Sequence, residues 1–457
     1  MKKFILSVAA MAAFTAAWAE GYQVNTLSAK QGGMGHTGVA QKLESESMFF
    51  NPAGMAFMDK TMSFSASING LSPKATITLD DGKKYHNASK VSTPFMASVG
   101  FSIYDNLKAG IAMYIPYGSS IDWGKNWPGA LLNQSVDLKS YTIQPTISWK
   151  ITPSLSIGAG LMMSWGNVNL NKGVTTNATT ALLGMLSNKA YAYDDTPASV
   201  NITGTSQVCW GANFGIMYDI SKKWSIGAAF RTEQKLKVTT GDASVIYSNE
   251  AAEEILSPYL NVLNTQFKAS MPMPWVLSVG TTYKPIDRLK LAFDMQMTGW
   301  KSYDKLVIDF DSESAPDQII SKNYHNSLTF RLGGEYAITK RFDIRAGFIV
   351  DLPPVDKNRY NPETPAMTKL EPSAGFSFRP IPNLSIDFCV LYVHGLGVNN
   401  ASCTYSDVIA EKLADMSAAG VIPENLKPAI QAVQAKPFVA DYKVHAISGS
   451  LGISYSF

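Results

Sequence analysis

The chain is poor in charge. Asp, Glu, Lys and Arg make up 16% of its residues, against about 25% in an ordinary soluble protein. Nothing apolar runs long enough to compensate. Beyond the first twenty residues no stretch nears 18 consecutive apolar positions, so no transmembrane helix is available. The three cysteines, Cys209, Cys389 and Cys403, are odd in number and widely spaced. That excludes a disulfide framework and leaves at least one thiol free. The histidines (His36, His86, His325, His394 and His445) include no pair at metal-ligand spacing, so no metal site is expected. A net charge of +3 comes without any basic block, so nucleic acid is not an expected partner. No Ser-His-Asp arrangement has its motif context, so neither catalysis nor a cofactor is indicated. What is present is 46% hydrophobic residues. Low charge, ordinary hydrophobicity and no long apolar run fit strands with one face to lipid and the other to a polar lumen.

The N-terminus reads as an export signal. Lys2 and Lys3 form a basic start, residues 4–18 are apolar, and Ala17-Trp18-Ala19 ends the run with small residues about one position. Cleavage is expected after Ala19. The alternative, a short N-terminal anchor, has too few apolar residues for a span of about 20.

Period-two alternation recurs through the rest. Leu289, Leu291, Phe293, Met295 and Met297 share one face, with Lys290, Asp294 and Gln296 on the other. Phe342, Ile344 and Phe348 lie opposite Asp343 and Arg345. The pattern predicts an all-β fold, a transmembrane antiparallel barrel of about 14 strands. The strands are placed at 61–79, 90–104, 107–123, 136–151, 155–175, 199–220, 224–247, 266–285, 289–310, 324–339, 342–353, 368–380, 384–400 and 437–457. Connections alternate between short turns rich in Pro, Asn, Asp and Lys and much longer loops. Short periplasmic turns and long extracellular loops are the outer-membrane pattern. An alternating last strand closes on Phe457, as read by the barrel-assembly machinery of Gram-negative outer membranes.

Three loops carry apolar residues at helical spacing. Leu182, Met185 and Leu186 line one; Ile255, Leu256 and Leu260 line the second; Leu413 and its neighbours mark the third. These extracellular helices either pack on each other as a cap or leave a groove for a hydrophobic ligand.

Residues 21–58 do not alternate. Gly32, Gly33, Gly35 and Gly38 allow close backbone packing, and no Gly-Lys-Ser/Thr follows to make a nucleotide loop. A compact non-strand segment ahead of a barrel reads as a plug. The chain therefore divides into a signal peptide (1–19), a hatch (20–58) and a barrel (59–457).

Here the sequence resembles a known family. Gly21-Tyr22-Gln23-Val24-Asn25 is similar to a mature N-terminus, and Phe50-Asn51-Pro52-Ala53-Gly54 to the hatch motif, of FadL/TodX outer-membrane transporters of hydrophobic compounds. The likeness continues at Ile115-Pro116-Tyr117-Gly118, Trp127-Pro128-Gly129, Trp210-Gly211, Phe230-Arg231-Thr232-Glu233, Pro274-Trp275, Asp351-Leu352-Pro353-Pro354-Val355 and Tyr392-Val393-His394-Gly395. It spans nearly the whole mature chain. One departure is Ala130, where many members carry arginine in a Trp-x-Gly-Arg motif.

The resemblance implies a hatch of Asn51, Pro52 and Ala53 and an inward kink in the third strand. Pro116, Tyr117 and Gly118 lie there, and proline removes a ladder donor while glycine weakens pairing. A long-chain fatty acid or aromatic hydrocarbon would enter from the loops and leave sideways. Arg231, Arg331 and Arg345 face inward by parity. They are the candidates for a ligand carboxylate, or else partners for Glu233, Glu335, Asp343 and Asp351 in a lumen network. Other expected partners are outer-membrane lipid and lipopolysaccharide, with the barrel a monomer. A general porin, an adhesin and an outer-membrane hydrolase are the alternatives. A porin would lack the plug, an adhesin would work through its loops, and a hydrolase would need a catalytic triad.

Overall fold

A computed structural model describes residues 21–88, 90–191, 195–312 and 317–457. The expected signal peptide lies outside them. Fourteen antiparallel strands close into a barrel. They are β1 (Met62–Thr78), β2 (Phe95–Tyr104), β3 (Leu107–Tyr114 and Gly118–Asp122), β4 (Ser135–Lys150), β5 (Leu155–Thr175), β6 (Ala198–Thr205 and Cys209–Ser221) and β7 (Trp224–Arg231 and Gln234–Tyr247). The remainder are β8 (Thr265–Met273 and Val276–Ile286), β9 (Leu289–Thr298 and Lys305–Phe310), β10 (Gln318–Ser321 and Ser327–Ala337), β11 (Phe342–Asp351), β12 (Lys369–Ile381), β13 (Leu384–Gly395 and Val398–Cys403) and β14 (Phe438–Ser456). Closure is between the last strand and the first, from Ser63 opposite Ser456 to Thr78 opposite Asp441. All three cysteines are unpaired.

The wall is inverted relative to a soluble protein. On β4, inward-pointing Ser140, Thr142 and Gln144 are buried, while outward Ile147 and Trp149 are 50% and 46% exposed. Such a strand is stable only with lipid outside, and lipid cannot satisfy backbone polar groups, so the ladder must close. Tyr104, Trp149, Tyr218, Trp224, Tyr283 and Tyr336 are exposed near the end that carries the short turns. They form the aromatic girdle of a membrane boundary.

Two placements differ from the sequence pattern. β2 begins at Phe95, not near residue 90, because proline at 94 supplies no ladder donor. Strands β6 to β9 and β13 are interrupted where a continuous strand was expected, and β10 has a short segment, Gln318–Ser321, ahead of its expected start. Pro274 accounts for the break in β8.

Residues 21–58 pack inside the barrel as short turns, including α1 (Ala29–Gly32) and α2 (Ser47–Phe50). The long loops carry α3 (Asn177–Leu186), α4 (Glu250–Leu260), α5 (Val408–Ala418) and α6 (Lys427–Val433). Among the described residues no helix is long and apolar enough to cross a membrane.

Candidate functional site: two cavities and a window in the wall

The break in β3 opens the wall. Its first half pairs with β2 on one side and β4 on the other, ending at Met96 opposite Tyr114 and Tyr114 opposite Thr142. Its second half pairs with β4 but has no ladder to β2 among the described residues. Between Tyr114 opposite Thr142 and Gly118 opposite Lys139, β3 advances four residues and β4 three. The kink is thus a bulge of one residue. A window results between residues 88–95 and 115–122. Ala88 N–H donates to Asp122 O at 2.6 Å, and Lys90 pairs with Asp122 at 2.7 Å, closing its top.

Every backbone group at the break still needs a partner, because lipid offers none. The N-terminal segment supplies several. Val24 N–H donates to Pro116 O at 2.9 Å and Gly118 N–H to Tyr22 O at 2.8 Å. Ser140 supplies the others: Tyr117 N–H donates to its Oγ at 3.0 Å, and that hydroxyl donates to Tyr117 O at 2.8 Å. Residues 22–24 therefore act as a short substitute strand along the inner edge of the window.

Two cavities meet there. One, about 170 Å³, is lined mainly by apolar side chains of the loop-end half, among them Leu138, Val168, Leu170, Leu236, Val238 and Phe267. Its charged lining is Lys172, Lys322 and Glu363. Lys322 pairs with Glu363 at 2.8 Å. Lys172 points inward from β5 and makes no ion pair among the described residues. The second cavity, about 460 Å³, lies along the window between Ser92–Phe95 and Ile115–Ile121. Tyr22 borders both. It packs edge-on against Trp300 with ring centroids 4.7 Å apart and donates its hydroxyl to Pro272 O. Burial, with neighbouring Tyr303 and Tyr117 adding to it, raises the Tyr22 phenol well above its usual value, so it remains a neutral donor.

Below the cavities, the N-terminal segment packs closely on the wall and is held by hydrogen bonds between side chains and backbone. Asn51 Nδ2 donates to Val39 O at 2.7 Å and to Ile216 O on β6 at 3.0 Å, while its Oδ1 accepts from Ala53 N–H at 3.1 Å. Glycines of the wall make the slot. A Cβ at Gly215 would overlap Asn51 Oδ1, one at Gly158 would overlap the Pro52–Ala53 peptide, and one at Gly227 the Val39 carbonyl. Gly38 and Val39 N–H donate to Asp294 at 2.6 and 3.0 Å. His36 is buried beside the Phe50 ring. Burial and then the Arg331 and Arg231 cations hold its imidazole well below its usual range, hence neutral.

The three arginines lie at this lower level, outside both cavities. Arg345 is buried among Glu335 at 2.7 Å, Asp387 at 3.4 Å and Asp343 at 3.8 Å. Arg331 donates to Gln296 and Asn25, at 3.0 and 2.9 Å. Arg231 donates to Phe49 O at 2.9 Å and stacks over the Phe49 ring. Arg231 and Arg331 tie the N-terminal segment to the wall, and Arg345 joins three wall carboxylates. Sequence reasoning missed Lys172, which parity places beside Leu170 and Val174 on one apolar inward face. It also took Tyr22 only as part of a motif.

At the loop end, Leu182, Ile255, Leu256 and Leu260 are buried in a shared core with Ile409 and Leu413. Leu186 packs on its edge, and Met185 is 71% exposed. Asp407 ties the loops, capping α5 through Ile409 and Ala410 N–H and accepting from Thr176 N–H and Thr179 Oγ. These helices pack on one another at the loop end of the barrel. At Trp127-Pro128-Gly129-Ala130, Ala130 is buried and Trp127 stacks on Trp123.

A closed barrel with a lipid-facing exterior, an occupied lower lumen and an apolar upper cavity defines an outer-membrane channel for hydrophobic solutes. The chain belongs to the outer membrane protein transport protein (OMPP1/FadL/TodX) family, whose model matches residues 9–422. It is an outer-membrane protein of a transporter family. A long-chain fatty acid transport protein of Escherichia coli O6:H1 is 24% identical over 419 residues, 86% of this chain and 91% of that protein. The crystal structure of a Pseudomonas aeruginosa FadL homologue superposes with a TM-score of 0.78 at 18% identity, covering 96% of this chain and all of that one. The Pseudomonas putida toluene transporter TodX gives 0.68 at 15% identity, with the same coverage. These likenesses to solved structures establish the fold.

Proposed function

We propose that the chain carries a hydrophobic molecule with a single acidic head, of the long-chain fatty acid kind, from the loop end into the outer leaflet through the window at β3. The observation that supports this is the meeting of the two cavities at Tyr22. One is apolar and holds the ligand; the other runs along the opening in the wall. Movement of residues 21–24 away from Pro116 and Gly118 joins them. That movement breaks two backbone hydrogen bonds, each worth about 0.5–1.5 kcal/mol net, together with the Tyr22 hydroxyl's bond to Pro272 O and its ring packing on Trp300. Partitioning drives passage, at about 0.8 kcal/mol per methylene buried. Residues 25–58 stay in place as the fixed part of the hatch, and the ligand does not pass through it. Lys172 supports the acidic head: an ammonium in an apolar cavity needs an anion, and Lys322 already has Glu363. An uncharged hydrocarbon, as the likeness to a toluene transporter would favour, leaves that ammonium unanswered.

The test straightens β3. Removing Tyr117 alone takes out the one extra residue, and Pro116→Thr restores the ladder donor. Removing two residues would shift the register and turn every side chain over. The expected result is a heat-modifiable, folded barrel that still co-purifies with its ligand but carries it at background rate. Uptake at the normal rate by the straightened barrel overturns the lateral route.

A further inference from the structure

On three adjacent strands the lipid-facing apolar band stops at one level and basic residues follow. On β14, outward Ile453, Leu451 and Ile447 are exposed, and the next outward residues are His445 and Lys443. On β13, Phe388, Val390 and Tyr392 are followed by His394. On β1, Phe64 and Ile68 give way to Lys74. The register brings these together. His445 lies opposite Lys74 on one side and His394 on the other. Lys443 lies opposite Thr76, which is itself paired with His86 in the short strand Lys84–His86. Tyr392 Oη is 3.2 Å and His394 Nδ1 is 3.3 Å from His445 Nδ1, and Thr76 Oγ1 is 3.0 Å from His86 Nδ1. The carboxylate at the margin, Asp441, accepts from Asn400 N–H.

Elsewhere on the outer face some lysines are paired, Lys139 with Asp137 and Lys268 with Asp311, and others, such as Lys237 and Lys305, stand singly. Here Lys74, Lys84 and Lys443 are exposed and make no ion pair among the described residues. Cationic side chains gathered without counter-charge form an anion site. Its position fixes which anion. It begins where the apolar band ends, which is the depth of lipid headgroups, with acyl-chain contacts directly below at Ile447, Val390 and Ile68.

We propose that Lys74, Lys84, His86, His394, Lys443 and His445 bind the phosphates of a phosphorylated outer-leaflet lipid. The lysines supply point charge, and each imidazole presents an N–H. Lys84–His86 leads directly to Ala88 at the top of the window. The lipid's chains therefore lie along that opening. The site stands on the patch alone and does not require that the window conduct.

The test uses the full-length barrel in non-ionic detergent, read by native mass spectrometry. Bisphosphorylated lipid A, its monophosphoryl form and a dephosphorylated form are titrated into the native barrel and into Lys74→Ala/Lys84→Ala/Lys443→Ala. Each juxtamembrane lysine contributes about fivefold to binding of an anionic lipid, so the triple variant should lose on the order of a hundredfold. Affinity in the native barrel should fall with each phosphate removed. Heat-modifiability confirms that the variant is folded. Equal affinity for the phosphorylated and dephosphorylated lipids overturns the proposal, as does a folded triple variant that binds like the native barrel. Uptake of Zn²⁺ at His394 and His445 with no phosphorylated lipid bound also overturns it and makes the pair a metal site.

Discussion

The two halves of the lumen are built by the same strands to opposite ends. On β5 the inward residues begin as Ser156, Gly158 and Gly160 and end as Val168, Leu170, Lys172 and Val174. On β4 they run the other way, from Val136 and Leu138 to Ser140, Thr142, Gln144, Thr146 and Ser148. Small and polar positions face the hatch, and apolar positions face the cavity. The change falls where Ser140 lies opposite Gly166, and Ser140 also patches the break at Tyr117. The hatch half uses glycines for close approach and side-chain-to-backbone hydrogen bonds to hold it. The cavity half uses aliphatic side chains that leave room. On the proposed route, a plugged floor below an apolar chamber leaves the wall as the exit, at the boundary between the halves.

The largest effect on this contrast should come from filling the slot. Gly215→Val places atoms where Asn51 sits. Overpacking of this kind costs about 1–3 kcal/mol or more, and the hatch is the part that can move. The barrel should stay heat-modifiable while single-channel conductance in planar bilayers rises. An unchanged conductance would mean that the hatch is held by its other contacts, and the division into halves would lose its floor. A smaller effect is expected from Asn51→Ala. It leaves the Val39 and Ile216 carbonyls without their amide donor, at about 1–3 kcal/mol for a buried group left unsatisfied. Hydrogen exchange across residues 48–56 should quicken by roughly tenfold or more, with the barrel strands unaffected.

Much of this was legible in the sequence. Strict alternation located the fourteen strands because the inward and outward solvents differ so sharply. The breaks in β6, β7 and β9 were not legible, since no proline marks them and their positions follow from what packs inside. Trp300, fully buried against Tyr22, is one such cause: it sits in the gap of β9. Parity put Arg231, Arg331 and Arg345 inward but could not tell the hatch level from the cavity level. That requires reading how the inward face changes along a strand, as β5 does before Lys172. The helical loops were found from spacing, but only packing reveals that Leu182 and Leu256 are buried in one shared core.

Lys172 sharpens the comparison further, being the charge that the apolar half carries without an ion pair among the described residues. Lys172→Met keeps the length and removes the ammonium. A hydrogen bond to a charged group is worth about 1.5–3 kcal/mol, so affinity for a fatty acid should drop roughly tenfold to a hundredfold by calorimetry. Affinity for the matching alkane should hold or improve. Equal losses for both would assign Lys172 a packing role and remove the acidic head from the proposed ligand.

The smallest effects separate cap from groove at the loop end. Leu256 is fully buried in the core shared by α3, α4 and α5, whereas Met185 on α3 is 71% exposed. If the helices form a cap, their apolar residues serve one another. Leu256→Ala should then loosen the cap by about 2–5 kcal/mol, the cost of a buried leucine truncated to alanine, and protease cleavage in the loops should accelerate. Met185→Ser should change loop stability by less than about 0.5 kcal/mol, as surface substitutions do, and leave uptake at the native rate. A groove predicts the reverse for uptake, because an exposed methionine is then the first surface the ligand meets. If Met185→Ser slows uptake severalfold while the loops resist protease as before, the ligand gathers on α3 before entering. In that case the apolar half of the molecule extends beyond the cavity to the outer face of the cap.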